Sequence, residues 1–277
     1  MRAKRTIVQK IVKEFNKGLR RIYYYNYTKI KYFYLSAKFF FLNKKITNHN
    51  ISLLLPTRER SDKFNRMLES LKNTCHDLSR IEILILIDTD DKNFHDYEKI
   101  INDNKSKIKI NFFVKDFKTH AIRNNFLANN CSGDLLFPIN DDMVFVSKNW
   151  DLQLDTEFSK NFNNKPFCLW IDAGNRYKYF HCDFPIVNRN WYKRLGYIGS
   201  EYFNFWYLDS WICELSRRSN TFLLSYKIIV KQFSAHSNEN EVDNTHLKNI
   251  RSGDQAKDDI IWLETQNKRI MEAKKLL

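Results

Sequence analysis

Three charged clusters in this chain directly follow apolar runs. Asp141 and Asp142 come after Leu135-Leu136-Phe137-Pro138-Ile139 and Asn140. Asp88, Asp90 and Asp91 come after Ile83-Leu84-Ile85-Leu86-Ile87. Arg58 and Arg60 come after Ile51-Ser52-Leu53-Leu54-Leu55 and the Pro56-Thr57 pair. Adjacent carboxylates suit a hard divalent cation such as Mg²⁺ or Mn²⁺, which takes oxygen ligands and needs few of them from protein when phosphate oxygens complete its shell. A cation held this way neutralises the charge that develops on a departing pyrophosphate. Taken alone, Asp141 and Asp142 also fit a pair of solvated loop acids.

The elements that must position these groups read as alternating strands and helices. The apolar runs at 51–55, 83–87 and 135–139 are short and bounded by turn residues, as buried strands are. A third strand is expected from Ile108 to Val114. A helix starts near Ser61 or Asp62 as N-cap, with Phe64, Met67, Leu68 and Leu71 on one face. Another is expected at 119–130. This alternation predicts a mostly parallel sheet with right-handed crossovers. Ligands of such sheets bind at the carboxyl ends of the strands, which is where the charged clusters lie. Beyond residue 150 the spacing predicts a strand at Cys168–Ile171, a helix at 208–217 starting near Asp209, one or two strands within 221–233, and a helical tail at 255–277.

Four segments in this order resemble the family 2 glycosyltransferases of GT-A fold: Leu-Leu-Pro-Thr-Arg (54–58), Ile-Asp-Thr-Asp-Asp (87–91) followed by Arg-Asn (123–124), Ser-Gly-Asp-Leu-Leu-Phe (132–137) and Asn-Asp-Asp-Met (140–143). The resemblance covers roughly residues 50–150 well and extends loosely to about 247. It implies a Rossmann-like GT-A sheet flanked by helices. Residues 49–150 would form the half that binds the nucleotide sugar, 151–254 the half that binds the acceptor, and 255–277 a C-terminal helix. It further implies that Thr57, Arg58, Asp88 and Asp90 hold the nucleotide, with Arg123 near the diphosphate. Asp141 and Asp142 would carry the metal, Mn²⁺ or Mg²⁺. In two places the chain departs from the family pattern. Asn140 replaces the first acid of the metal motif, so metal binding rests mainly on Asp142. Thr89 stands where an Asp often contacts the base.

The second half supplies the remaining expected roles. In the family, an acid that begins a helix beyond the metal motif acts as general base, and Asp209 matches it best. An inverting transfer needs a carboxylate to take the acceptor's proton as it attacks the anomeric carbon. Asp is also a favoured N-cap, and the two roles are compatible. Asp183 is the second candidate, because the aromatic segment after it suits stacking on sugar faces. His236 resembles the third metal ligand of many relatives.

Composition narrows the classes further. Residues 1–45 hold thirteen of the 46 Lys and Arg and one of the 32 acids, so they carry +12 of the net +14 charge. The body is therefore close to neutral and lacks the basic face of a nucleic-acid reader. Nucleic acid is not an expected partner. Residues 5–22 read as an amphipathic helix, and 23–42 interleave Tyr and Phe with Lys. This basic, aromatic extension (1–48) suits either an anionic membrane surface or packing on the body. The five cysteines show no metal-finger spacing and read as reduced thiols. No secretory signal is apparent. The expectation is a metal-dependent hexosyltransferase of the cytoplasm, peripheral to the inner face of the membrane. It would move sugar from a nucleotide sugar to a glycan or lipid-linked acceptor in surface polysaccharide synthesis. Alternatives are a sugar nucleotidyltransferase, which typically carries a Gly-rich loop where residues 56–64 have no Gly, and a silent binding module with a basic arm.

Overall fold

The structure, a computed structural model, describes residues 2–161, 164–174, 179, 181–233 and 254–277. In chain order the elements are α1 (Arg2–Phe41), β1 (Ile51–Pro56), α2 (Ser61–Thr74), β2 (Ile81–Ile87), α3 (Phe94–Asn104), β3 (Lys109–Val114) and α4 (His120–Asn129). There follow β4 (Leu135–Pro138), β5 (Met143–Phe145), α5 (Trp150–Ser159), β6 (Cys168–Asp172), β7 (Ile186–Asn188), α6 (Arg189–Leu195), α7 (Leu208–Arg218) and β8 (Phe222–Gln232). The chain closes with α8 (Asp254–Glu264) and α9 (Gln266–Lys275), two helices where the sequence suggested one.

The strands form one sheet in the order β3-β2-β1-β4-β7-β6-β8-β5. Neighbours β3, β2, β1 and β4 are parallel, β7 runs against β4 and β6, β8 runs with β6, and β5 runs against β8. The mostly parallel α/β sheet read from the sequence is therefore observed. Both faces of the central strands are buried, which is why β1 and β2 are apolar except at Ser52 and Glu82, which bond to each other, rather than alternating. Leu53 and Leu55 face the core under α2, α3 and α5, while Leu54 faces the core under α4, α6, α7 and α9. Each such fully buried aliphatic side chain contributes about 1.5–3 kcal/mol.

Gly133 sets β4 close beside β1. Its amide donates to Ser52 Oγ at 2.8 Å, and a Cβ there would fall 2.7 Å from the Ser52 amide nitrogen. No side chain fits that turn. At the amino edge of the sheet, buried Asp151 and Asp155 are closed by Arg80 at 3.0 and 2.7 Å, so these acids serve structure.

Two local expectations change. The N-cap of α2 is Arg60, and Ser61 is already helical. α1 is one continuous helix of 40 residues rather than a helix ending near residue 22. It lies across the outer side of Phe222–Tyr226, a stretch of β8 that β5 leaves uncovered because β5 pairs only with Val230–Gln232. An exposed strand edge invites pairing with other chains, and a helix laid across it prevents that. No helix of the described residues is long and apolar enough to cross a membrane.

Candidate active site

Sheet register brings the loops after β1, β2 and β4 together. Thr57 N donates to Leu86 O at 2.9 Å and Ile139 N to Leu54 O at 3.0 Å, which extends the strand pairing into the loops. Arg58 then bridges the first two: its Nη1 donates to Asp88 Oδ2 at 2.7 Å and its Nη2 to Asp90 Oδ2 at 2.9 Å. From α4, Arg123 reaches the other oxygen of Asp88 at 2.6 Å. The Glu59 amide donates to Asp91 Oδ2 at 2.8 Å, pinning one loop to the other. Two guanidinium groups thus stand at one strand-end acid, a geometry suited to swinging onto a diphosphate.

Asp141 is held by a chain of hydrogen bonds. The Arg60 amide donates to Tyr97 Oη at 3.0 Å, Tyr97 Oη lies 3.0 Å from Thr57 Oγ1, and Thr57 Oγ1 donates to Asp141 Oδ2 at 2.5 Å. Arg60 Nη1 also pairs with Asp141 Oδ1 at 3.0 Å. Burial nonetheless raises the Asp141 pKa, against Arg60 and Thr57. Asp142 is less well satisfied. Among the described residues its carboxylate meets only long bonds from Gln232 Nε2 at 3.3 and 3.5 Å, and burial, then the neighbouring Asp141 charge, push its pKa up to about 6. Two adjacent buried carboxylates whose ionised forms burial disfavours fit a divalent cation, which would remove the cost of keeping both ionised.

The second half of the chain closes the same edge. Because β7 runs antiparallel beside β4, the residues just before β7 emerge where the chain leaves β4 for Asp141. Those residues include His181 and Asp183. α7 brings Asp209 to them: His181 Nε2 lies 3.1 Å from Asp209 Oδ2 and 3.3 Å from Asp183 Oδ1. Mutual bonds between Cys182 and Cys213, 3.3 Å from amide to sulfur, tie this loop to α7. Burial works against a charge on His181, but the two carboxylates outweigh it and raise its pKa to about 10. Burial pushes Asp209 up, and the His181 charge and the bonds from His181 and Ser210 bring it below its usual value. The three ligand atoms lie within 4.8 Å of one another, a spacing that a small cation could bridge. His120 is the contrast: burial, then Arg123, lower its pKa to about 4, so it is neutral and accepts from Asn124 at 3.2 Å.

α8 fixes the start of α7. Asp258 accepts from the amides of Asn204, Phe205 and Trp206 at 2.9, 3.0 and 2.9 Å. Tyr207, the N-cap of α7, adopts φ 73°, a conformation unusual for a residue with a side chain. Its ring stacks on Trp262 at 4.7 Å and its hydroxyl donates to Asp259. Asp209 is thus in the first turn of α7 rather than at its cap.

Of the residues singled out from the sequence, Arg58, Asp88, Asp90 and Arg123 are joined by ion pairs, Thr57 bonds to Asp141 with Asp142 next to it in the chain, and Asp183 and Asp209 meet at His181. His236 lies outside the described residues. Sequence reasoning missed His181, Tyr97, Gln232 and Asp116. Asp116, just past β3, accepts from the Thr89 amide at 2.9 Å and from its hydroxyl, so an acid stands beside the threonine that departs from the family pattern. A polar residue at the end of β3 was the available signal.

No protein-family model matches the sequence, and no curated protein does. Solved structures do match its fold. A mannosyltransferase, PcManGT from Pyrobaculum calidifontis, in complex with GDP-Man and Mn²⁺, aligns over 76% of this chain and 65% of its own at TM-score 0.55 and 8% identity. TarS (residues 1–349) from S. aureus aligns over 66% and 60% at TM-score 0.53 and 11% identity. GalNAc-T7 with UDP, GalNAc and Mn²⁺ aligns over 66% and 43% at TM-score 0.54 and 13% identity. The chain thus spans less than two thirds of the length of each.

Proposed function

We propose that this chain, which has the GT-A fold of glycosyltransferases, is a metal-dependent inverting hexosyltransferase. The observation that carries the reading is the convergence at one sheet edge of an arginine-bridged acid group, the Asp141–Asp142 pair and the His181–Asp183–Asp209 cluster. The first group suits a nucleoside diphosphate, with Arg58 and Arg123 placed for the phosphates and Asp116 beside Thr89 for the base. Asp142, with Asp141 assisting and His236 as a third candidate, would hold Mn²⁺ or Mg²⁺, which supplies charge neutralisation at the diphosphate. Nucleotide and Mn²⁺ occur together in the mannosyltransferase and GalNAc-T7 structures, and another TarS structure holds UDP-GlcNAc, which supports the nucleotide-sugar donor.

Asp209 would act as the base. It takes the proton of the acceptor hydroxyl as that oxygen bonds to the anomeric carbon. The bond from that carbon to the phosphate oxygen breaks, and the nucleoside diphosphate leaves with the electron pair. His181 keeps Asp209 ionised through the neutral pH range, at the cost of some basicity. Asp183 shares the imidazolium and is the alternative base. The acceptor would be a glycan or lipid-linked sugar of surface polysaccharide synthesis, with the enzyme on the cytoplasmic face of the membrane. Nucleotide-sugar turnover with and without Mn²⁺, in wild type and Asp209→Asn, tests the reading. Metal-independent turnover that survives the substitution would overturn it.

A further inference from the structure

α1 has two unlike faces. One is docked. Tyr27 donates to Asn220 Oδ1 at 2.6 Å, Thr28 and Tyr226 share a bond of 3.1 Å, Lys31 Nζ reaches Asn220 O at 3.1 Å, and Tyr32 donates to Glu157 at 3.1 Å. The opposite face carries Ile22, Tyr23, Ile30, Phe33, Phe40 and Phe41, which recur at the spacing of a single helical stripe. These side chains are not merely grazed by solvent: Ile30 is 70% exposed, Phe33 68%, Phe40 78% and Phe41 81%. A stripe of this length left in water marks a surface that meets something apolar.

We propose that the outer face of α1 is a membrane-docking surface that lies in the interface of an anionic bilayer. The charge around it selects that occupant. Residues 1–45 hold thirteen basic residues and one acid, and Lys38, Lys44 and Lys45 are exposed around the Phe40–Phe41 end of the stripe. An in-plane helix with aromatic and aliphatic residues on one side and Lys and Arg about its flanks partitions to such interfaces by both terms. A second copy of the same helix would oppose this charge with its own. The inference deepens the membrane placement proposed above and is independent of the transfer chemistry. It also bears on the acceptor. The Tyr25 ring packs edge-on against Tyr179 at 4.8 Å, in the loop that carries His181 and Asp183, so a bilayer-bound α1 holds that loop near the lipid surface.

Full-length protein should co-sediment with phosphatidylserine-containing vesicles at low salt, with binding weakened but not abolished at high salt. The triple substitution Phe33→Ser, Phe40→Ser, Phe41→Ser should cut the salt-resistant binding by about tenfold or more. Thermal melting and nucleotide-sugar hydrolysis should stay as in wild type, which separates a failure here from a failure of the enzymatic reading. Three results would overturn the proposal. One is wild type that ignores these vesicles at low salt. A second is a triple variant that binds them like wild type at high salt. The third is dimerisation or duplex-DNA binding through this face without vesicle binding.

Discussion

The Nε2 of His181 lies 3.1 Å from the Oδ2 of Asp209, across 28 residues of sequence. The same nitrogen faces Asp183 at 3.3 Å, so one imidazolium serves two carboxylates. That arrangement favours the ionised form of Asp209, and the first two predictions follow from it.

Asp209→Asn should lower kcat by about two to four orders of magnitude, the range for loss of a general base, while leaving the donor Kd unchanged. The amide keeps the size of the side chain and its place in the first turn of α7. Asp183→Asn should cost less, because Asp209 keeps its imidazolium partner. Steady-state kinetics with titration calorimetry on both variants distinguishes the two roles. The reverse ranking would move the base to Asp183.

His181→Gln should move the acid limb of the kcat profile to higher pH. Without the imidazolium, burial acts on Asp209 against the Ser210 bonds alone, and the Asp183 charge adds to burial in favouring the protonated form. The stability consequence has a definite sign. A His whose folded pKa is raised to about 10 stabilises fully below its ordinary value of 6.5 and loses that contribution as pH rises through about 10. Asp209, lowered on folding, stabilises above its ordinary value of 3.8 and loses its contribution as pH falls through its folded value. Wild type should therefore outlast the variant most between the ordinary Asp and His values, 3.8 and 6.5, with the gap closing toward both extremes. A stability gap that is independent of pH would show that His181 is only a packing group.

Much of this architecture was legible because buried parallel strands are nearly pure apolar runs. β1, β2 and β4 read directly, as did the charged groups at their ends. α3 did not, since its apolar stripe is short: Phe94, Tyr97, Ile100 and Ile101 pack on the core, and only Tyr97 of them is fully buried. α5 buries Asp151, Asp155 and Glu157, residue types that suggest a surface. β7 has three residues, too few for any period. The His181–Asp209 contact has no sequence signature, since it depends on β7 reversing beside β4 and on the Cys182–Cys213 bonds.

Asp142→Ala should abolish metal-dependent binding of nucleoside diphosphate and leave the fold intact. Among the described residues its carboxylate makes only the long Gln232 bonds, so its removal orphans no strong partner among them. Mn²⁺ with nucleoside diphosphate should raise the melting temperature of wild type, because a ligand that binds only the folded state stabilises it. The variant should show no such rise. A rise equal to that of wild type would place the metal elsewhere.

Asp258→Ala tests whether α8 positions the base from a distance. Its carboxylate accepts three consecutive backbone amides, from Asn204 to Trp206, and is fully buried. Bonds to a charged group contribute about 1.5–3 kcal/mol each, though three amides that share one carboxylate do not add fully. A loss of about 3 kcal/mol is expected, or roughly 6–12 °C in melting temperature for a chain of this size. The consequence for function follows from the chain path. The loop freed by the substitution leads straight into Tyr207, whose φ of 73° is held by the Trp262 stack and the Asp259 bond. Relaxing it shifts the first turn of α7 and Asp209 with it. In Asp258→Ala, kcat should therefore fall at temperatures well below the melting point, with donor affinity preserved, since Arg58, Asp88 and Asp142 lie on other loops. Asp258→Asn should recover part of both losses, because the amide oxygen can still accept. A variant that melts early yet turns over normally at low temperature would confine Asp258 to stability alone.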